Sequence, residues 1–116
     1  MEVFEMDNMD IATTILSQLG GKRFVAFTGA KDLCTIKCGL QFGLPRNTAK
    51  VNRVQITLNG KDLYDMRFLK CSFPRYNKKT FSMTEYKEVV IKEFNDVYCD
   101  QLVELFEHTT ELYTHF

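Results

Sequence analysis

The residues of this chain best suited to metal or nucleophilic chemistry are its four cysteines and two histidines. Cys34 and Cys38 have a spacing found in some metal sites, but the residues around them alternate between apolar and polar, as in a β-strand. Four residues along a strand separate two Cα atoms by about 13 Å. That is too far for two thiolates to share one zinc ion through bonds of about 2.3 Å. We therefore predict no metal site and expect core cysteines.

Other pairs of reactive residues also have simple structural explanations. Cys99 and His108 are about 2.5 helical turns apart, so a helix would place them on opposite faces. The dipole at a helix C-terminus by itself favours a histidine there, such as His108 or His115. Asp96 and Asp100 lie one turn apart, as on a solvated helix face. Because the chain also lacks the glycine spacing of a phosphate-binding loop, we expect a non-enzyme with no cofactor.

Charge is distributed unevenly along the chain although its total is balanced, with 15 basic and 15 acidic residues. Between Lys22 and Lys79 there are thirteen Lys and Arg and three acidic residues. The first ten residues carry four acids and no Lys or Arg, and from Glu85 onward there are eight acids and two lysines. We therefore expect basic strands in the middle of the chain and acidic helices at its ends.

The basic residues become a surface once the strands are placed. Alternation predicts an outer sheet face with Arg53 directly opposite Arg67, where like charges repel unless an anion or Asp65 lies between them. The basic residues that follow are interleaved with Phe73 and Phe81, a mixture that suits the phosphates and bases of single-stranded nucleic acid. The predicted binding residues are Lys37, Arg53, Arg67, Lys70, Arg75, Tyr76, Lys78 and Lys79.

Three other interpretations of the same residues stay open. Antiparallel sheets commonly solvate one face with polar and basic side chains, and lysines at sheet edges prevent aggregation. The acidic helices could neutralise the basic sheet within the molecule. The charged surfaces could also bind a protein, in which case the chain would act as an adaptor or inhibitor of a host protein.

Hydrophobic periodicity predicts the elements that position these residues. Asp10–Leu19 is predicted to be a helix with Ile11, Ile15 and Leu19 on one apolar stripe, and it is predicted to end at Gly20 and Gly21. Phe24–Thr28 is predicted to be a strand. Cys34–Leu44 is predicted to be one long strand, because every second residue in it is apolar.

A hairpin is predicted next, with strands Asn52–Leu58 and Leu63–Cys71 on either side of Asn59 and Gly60. The apolar residues of both strands fall on one face only if the loop has three or five residues rather than two. The predicted cross-strand pairs are Ile56 with Tyr64 and Val54 with Met66.

The segment Glu85–Phe94 is ambiguous, since Ser82–Glu85 resembles a helix capping box whereas Val89–Ile91 is a β-branched run. We predict a strand, followed by a final helix from Asn95 or Asp96 to His108. The fold class is therefore α+β, a mostly antiparallel sheet of four or five strands with an N-terminal and a C-terminal helix packed on one face. Residues 1–116 are expected to form a single domain.

The composition excludes several classes of protein. Apolar residues make up 45% of the chain and charged residues 26%, as in a packed globular protein. The sequence contains no run of about 18 apolar residues, so we expect no membrane-spanning helix. The acidic first ten residues lack the basic and apolar parts of a secretory signal. We therefore expect a cytoplasmic protein with reduced thiols and no membrane partner.

Segments spread over most of the chain share one resemblance. They are Ile15–Gly21 with Phe24, Thr28–Lys31, Val54–Asn59, Tyr64–Met66 and Leu112–His115. Together they resemble a group of small uncharacterised proteins from bacteriophages and bacterial mobile elements. Relative to that group, Phe73–Phe81 looks like an insertion and Glu111 replaces an expected glycine. The resemblance implies an origin in a bacterial host cell and a strand near Val89, and it implies no activity.

Overall fold

The computed structural model describes residues 8–112, and His115 and the rest of the C-terminal tail lie outside the described residues. The order of elements confirms the predicted α+β class. In chain order these elements are α1 (Asn8–Leu19), α2 (Lys22–Thr28), β1 (Lys31–Ile36), β2 (Gly39–Gly43), β3 (Arg53–Leu58), β4 (Tyr64–Ser72), β5 (Tyr76–Asn77), β6 (Ser82–Met83), β7 (Lys87–Val97), a 3-10 turn (Cys99–Gln101) and α3 (Leu102–Thr110). Five strands form one antiparallel sheet in the order β1-β2-β3-β4-β7, and β5 pairs with β6.

The helices cover one face of the sheet, which we call the inner face. The predicted apolar stripe of α1 is confirmed, since Ile11, Ile15 and Leu19 are buried. Four phenylalanines from α2, the sheet and α3 meet at the centre of the core. They are Phe24, Phe42, Phe68 and Phe106. No helix of residues 8–112 is long and apolar enough to cross a membrane.

The predicted strand Phe24–Thr28 is wrong, because this segment belongs to helix α2. Gly20 and Gly21 reverse the chain with φ angles of 126° and 61°, and the helix starts directly after them. Phe24 and Thr28, four residues apart, are then both buried, as on one face of a helix. The short apolar run therefore fitted either structure.

The predicted long strand Cys34–Leu44 is also wrong, because the chain reverses at Lys37 and Cys38. Cys38 adopts a φ of 59°, and its backbone N–H donates to Asn8 Oδ1 at 2.8 Å. Ile36 lies opposite Gly39 and Cys34 opposite Gln41. Cys34 and Ile36 therefore lie on the outer face, and Cys34 is exposed rather than a core cysteine.

The hairpin of β3 and β4 is confirmed with a five-residue loop, but its register is two residues from the predicted one. Ile56 lies opposite Met66 and Val54 opposite Phe68, so the apolar residues still share the inner face. The side chain of Asn59 organises the longer loop, since Oδ1 accepts from two backbone N–H groups of that loop at 2.8 and 3.3 Å.

The strand predicted within Glu85–Phe94 is confirmed as part of β7, which continues further than predicted, to Val97. Val97 is buried and lies opposite Tyr64, so pairing with β4 outweighs the helical pattern at this point. Asp96 is therefore in a strand, and the last helix begins at Leu102 rather than at Asn95 or Asp96.

A thin extension projects from the sheet where β4 and β7 run past the other strands. Residues 73–86, which we call the arm, connect these two strands and contain the small hairpin of β5 and β6. None of the buried side chains of residues 8–112 comes from the arm. The described chain measures 61 × 41 × 23 Å, and the arm leaves both of its faces open to solvent.

Candidate functional site

The structure does not bring all of the predicted binding residues together. Lys37 lies in the β1–β2 turn, where the Leu58 N–H donates to the Cys38 carbonyl oxygen at 2.8 Å. Leu58 pairs with Tyr64 at one end of β4, and the arm begins after the other end, at Ser72. Lys37 is therefore separated from the arm by the length of the sheet.

Arg53 and Arg67 do not face each other, contrary to the predicted register. Arg53 lies opposite Leu69, and Arg67 lies between Gln55 on β3 and Glu93 on β7. The shift of two residues therefore removes the predicted repulsion and gives Arg67 an acidic cross-strand neighbour.

Arg53 is held at the base of the arm. Its guanidinium lies 5.9 Å from the centre of the Phe73 ring, and Nη1 donates to Tyr86 Oη at 3.1 Å. Tyr86 Oη donates in turn to Glu88 Oε2 at 3.2 Å. The positive charge of Arg53 is thus part of a network with two aromatic rings and a carboxylate.

The remaining predicted residues line a continuous concave surface, which we call the basic groove. It consists of three adjoining depressions of about 470, 670 and 590 Å³. The first two share Asn52 and Lys70, and the second and third share Arg75 and Thr84. Its basic lining residues are Arg46, Lys50, Lys70, Arg75, Lys78, Lys79 and Lys87.

Acidic residues near the groove are few and lie at defined places. Glu85 lines the middle depression. Glu111, which follows α3, accepts a hydrogen bond from Thr48 Oγ1 at 2.8 Å, and Thr48 lines the first depression. The groove therefore keeps a positive balance along its length.

Arg46, Lys50 and Lys87 are groove residues that the sequence pattern did not indicate. The first two lie in the loop after Pro45, which has no strand alternation to assign it to a face. Lys87 belongs to the acidic C-terminal part of the chain. It lies at the groove because it pairs with Ser72 at the end of β4. Charge along the sequence cannot reveal such neighbours, because they depend on strand register.

Hydrogen bonds within the chain shape the backbone of the groove. Asn47 Nδ2 donates to the carbonyl oxygens of Pro45 and Val51 at 2.9 and 2.6 Å, and its Oδ1 accepts from the Val51 N–H at 3.1 Å. In the arm, the Arg75 N–H donates to Thr84 Oγ1 at 2.8 Å, and the Thr84 N–H donates to the Arg75 carbonyl oxygen at 2.9 Å. These bonds fix the loop that lines the first depression and the part of the arm where the second and third depressions meet.

The arm also presents aromatic rings beside its basic residues. Tyr76 lies opposite Met83 in the small hairpin, and Phe81 occupies the turn with a φ of 55°. Tyr76 is 56% exposed and Phe81 is 81% exposed. Exposed rings next to cations can stack on flat, electron-poor groups as well as on one another.

The residues considered for metal and nucleophilic chemistry are dispersed. Cys99 lies in the 3-10 turn, and His108 lies in the last turn of α3 as predicted. Within residues 8–112, no three His, Cys, Asp or Glu side chains are grouped so that they could hold a metal ion.

No protein-family model, curated protein or solved structure matches the chain. The function proposed below therefore rests on the geometry of the chain itself.

Proposed function

We propose that this protein binds single-stranded nucleic acid along the basic groove. The observation that carries the proposal is the convergence of seven Lys and Arg side chains on three adjoining depressions, with Glu85 as their acidic lining residue. Lys and Arg that neutralise successive phosphates release counterions, and this release drives association. A groove that continues over three depressions fits a linear polyanion better than a single small anion.

The aromatic side chains of the arm favour a single strand over a duplex. In a duplex the bases are stacked inside, whereas a single strand offers each base as a flat surface to an exposed ring. Tyr76 and Phe81 stand next to the basic residues of the outermost depression. This arrangement combines a charged track with stacking surfaces, as sequence-tolerant single-strand binders require.

The proposed site differs from the sheet face predicted from the sequence. Lys70, Arg75, Tyr76, Lys78 and Lys79 remain in it. The site gains the loop residues Arg46 and Lys50 and the strand residue Lys87, while Lys37, Arg53 and Arg67 fall outside it. The proposed binding surface is thus the end of the sheet at the β2–β3 loop, together with the arm, and the flat outer face is not required.

The test is fluorescence anisotropy with a short labelled single strand at about 50 mM and about 200 mM salt. If about four phosphates are neutralised, the affinity falls roughly fifty-fold between these concentrations. The double variant Lys70→Glu with Lys78→Glu is expected to lower the affinity at low salt by at least about tenfold.

A matched control carries the same change of charge elsewhere. Lys22→Glu with Lys37→Glu alters two exposed lysines that do not line the groove, and binding is expected to persist. Absence of binding at low salt, or equal losses in the two double variants, would count against the proposal.

A second candidate function is the binding of a protein that adds a strand to β7. The supporting observation is that β7 is an eleven-residue edge strand with exposed apolar side chains, since Val89, Val90 and Ile91 are 53%, 41% and 41% exposed. Such edges accept an extended segment through backbone hydrogen bonds. A nuclease-treated pull-down in which Val90→Lys abolishes capture, while Lys78→Glu does not, would favour this candidate.

A further inference from the structure

A smaller cavity of about 230 Å³ opens on the outer face, next to the basic groove. It lies where β1 and β2 meet the base of the arm, and it shares Asn52, Cys71 and Phe73 with the middle depression of the groove. A strand whose phosphates follow the groove therefore passes the mouth of this cavity.

One wall of the cavity is the ring of Phe73, whose position is fixed although the residue is 62% exposed. The Tyr86 ring packs against it with centroids 5.8 Å apart, and the Arg53 guanidinium lies 5.9 Å from its centroid. The hydrogen bond between Arg53 and Tyr86 ties these two partners together. An exposed ring held in this way is preorganised for stacking, so little conformational freedom remains to be lost on binding.

Two further lining residues carry hydrogen-bonding side chains of both kinds. Lys31 is a donor and Asp32 an acceptor, and both residues are exposed. Gly43 also lines the cavity, and a Cβ there would lie 3.6 Å from Lys31 Cγ. A carboxylate repels phosphate but accepts hydrogen bonds from the amino group of a base such as cytosine.

We infer that this cavity holds one base of the bound strand, stacked on Phe73 with its amino group facing Asp32. The inference rests on the proposed function, because the groove must hold the phosphates that bring the base to the cavity. It adds one base contact at a defined position to the stacking that Tyr76 and Phe81 offer along the arm.

The experiment compares two labelled oligonucleotides of equal length, one of cytidines and one in which every position is abasic. Both bind if the groove acts on phosphates, and the cytidine strand binds more tightly if its bases stack on exposed rings. If one of these bases enters the cavity, Phe73→Leu lowers the affinity for the cytidine strand about tenfold and leaves the abasic strand unaffected. Phe27→Leu, the same change at an exposed phenylalanine on α2, is the control.

The outcomes separate the two proposals. If neither strand binds at low salt, the proposed function fails and the base site fails with it. If both bind equally, or if Phe73→Leu and Phe27→Leu behave alike, the groove stands and the base site is overturned. A fluorescent adenine analogue in the strand gives a second measurement on the unmodified protein, since stacking on Phe73 quenches it and an unquenched signal at saturation contradicts the inference.

Discussion

The side chain of Asn52 binds the backbone of Cys71 through two hydrogen bonds. Asn52 Nδ2 donates to the Cys71 carbonyl oxygen at 2.8 Å, and Asn52 Oδ1 accepts from the Cys71 N–H at 2.7 Å. The side-chain amide of Asn52, the residue just before β3, thus takes the place that a backbone partner of Cys71 would have. The Asn52 N–H also donates to the Leu69 carbonyl oxygen at 3.0 Å. These three bonds hold β4 in place at the point where the arm leaves the sheet.

Asn52→Ala is expected to lower the free energy of unfolding by about 1–3 kcal/mol, because two backbone groups of Cys71 lose their partner. Urea denaturation measures the change, and faster amide exchange at Cys71 would locate it. Asn77→Ala is the control, since Asn77 Oδ1 accepts one bond from the Lys79 N–H in the exposed hairpin. A loss at Asn77 equal to that at Asn52 would contradict this account.

Gly39 is expected to tolerate no side chain. A Cβ there would overlap the Ile56 carbonyl oxygen and lie 2.9 Å from Thr57 Cα on the neighbouring strand. Gly39→Ala should therefore cost at least about 2 kcal/mol through displacement of β2 from β3. A Cβ at Gly60 would meet no atom within 4 Å, so Gly60→Ala should leave the thermal midpoint nearly unchanged. Equal midpoints for the two variants would disprove the close approach.

Phe106 is expected to be among the most costly core residues to truncate. Its ring centroid lies 5.0 Å from that of Phe24, 6.2 Å from Phe42 and 6.4 Å from Phe68. Phe106→Ala leaves a cavity at this junction and should cost about 3–5 kcal/mol. Phe81→Ala removes a ring that is 81% exposed and should cost less than about 0.5 kcal/mol. Chemical denaturation of both variants provides the comparison.

Tyr86 is expected to ionise later than an ordinary tyrosine. The neighbouring Cys71 side chain, followed by desolvation and by the bond to Glu88, raises the pKa of Tyr86 from 10.0 to about 12, although nearby Arg53 lowers it. Because the folded pKa is the higher one, this contribution to stability is complete below pH 10 and disappears as the pH rises through about 12. The tyrosinate absorbance, followed as the pH is raised, should lack its last ionisation phase in Tyr86→Phe. In Cys71→Val this last phase should occur at a lower pH. An unchanged last phase in Tyr86→Phe would refute the assignment.

The elements that the sequence predicted well are those in which pattern and burial agree. The stripe of α1 and the alternation of β3 each leave a single face for the core, so Ile15, Val54 and Ile56 could be assigned without tertiary information. The β-branched run at Val89–Ile91 also indicated its strand correctly, because local preference and sheet pairing act in the same direction there.

The errors came from features that local patterns cannot contain. At Lys37 and Cys38 the chain turns without a glycine or proline, and alternation continues unbroken through the turn. Because the two-residue turn pairs Ile36 with Gly39, Cys34 and Ile36 share a face with the odd-numbered residues Gly39 and Gln41. The pattern therefore looked like one strand although the face changed.

The candidate site was predicted in part for a related reason. Residues close in sequence, such as Arg75, Lys78 and Lys79, could be recognised as a group. Their neighbours Arg46, Lys50 and Lys87 reach the groove through a loop and through the pairing of β4 with β7. Long-range pairing registers are set by the whole core, so a misplacement by two residues was enough to put Arg53 opposite the wrong partner.

The arm is the part of the described chain that does not contribute to the core. Since residues 73–86 add no buried side chain to the described core, substitutions and small length changes in them are nearly neutral for folding. The sequence of the arm can thus vary while the buried residues of the sheet and helices stay constrained by packing. If the proposed binding holds, a change of ligand would not require a change in the core.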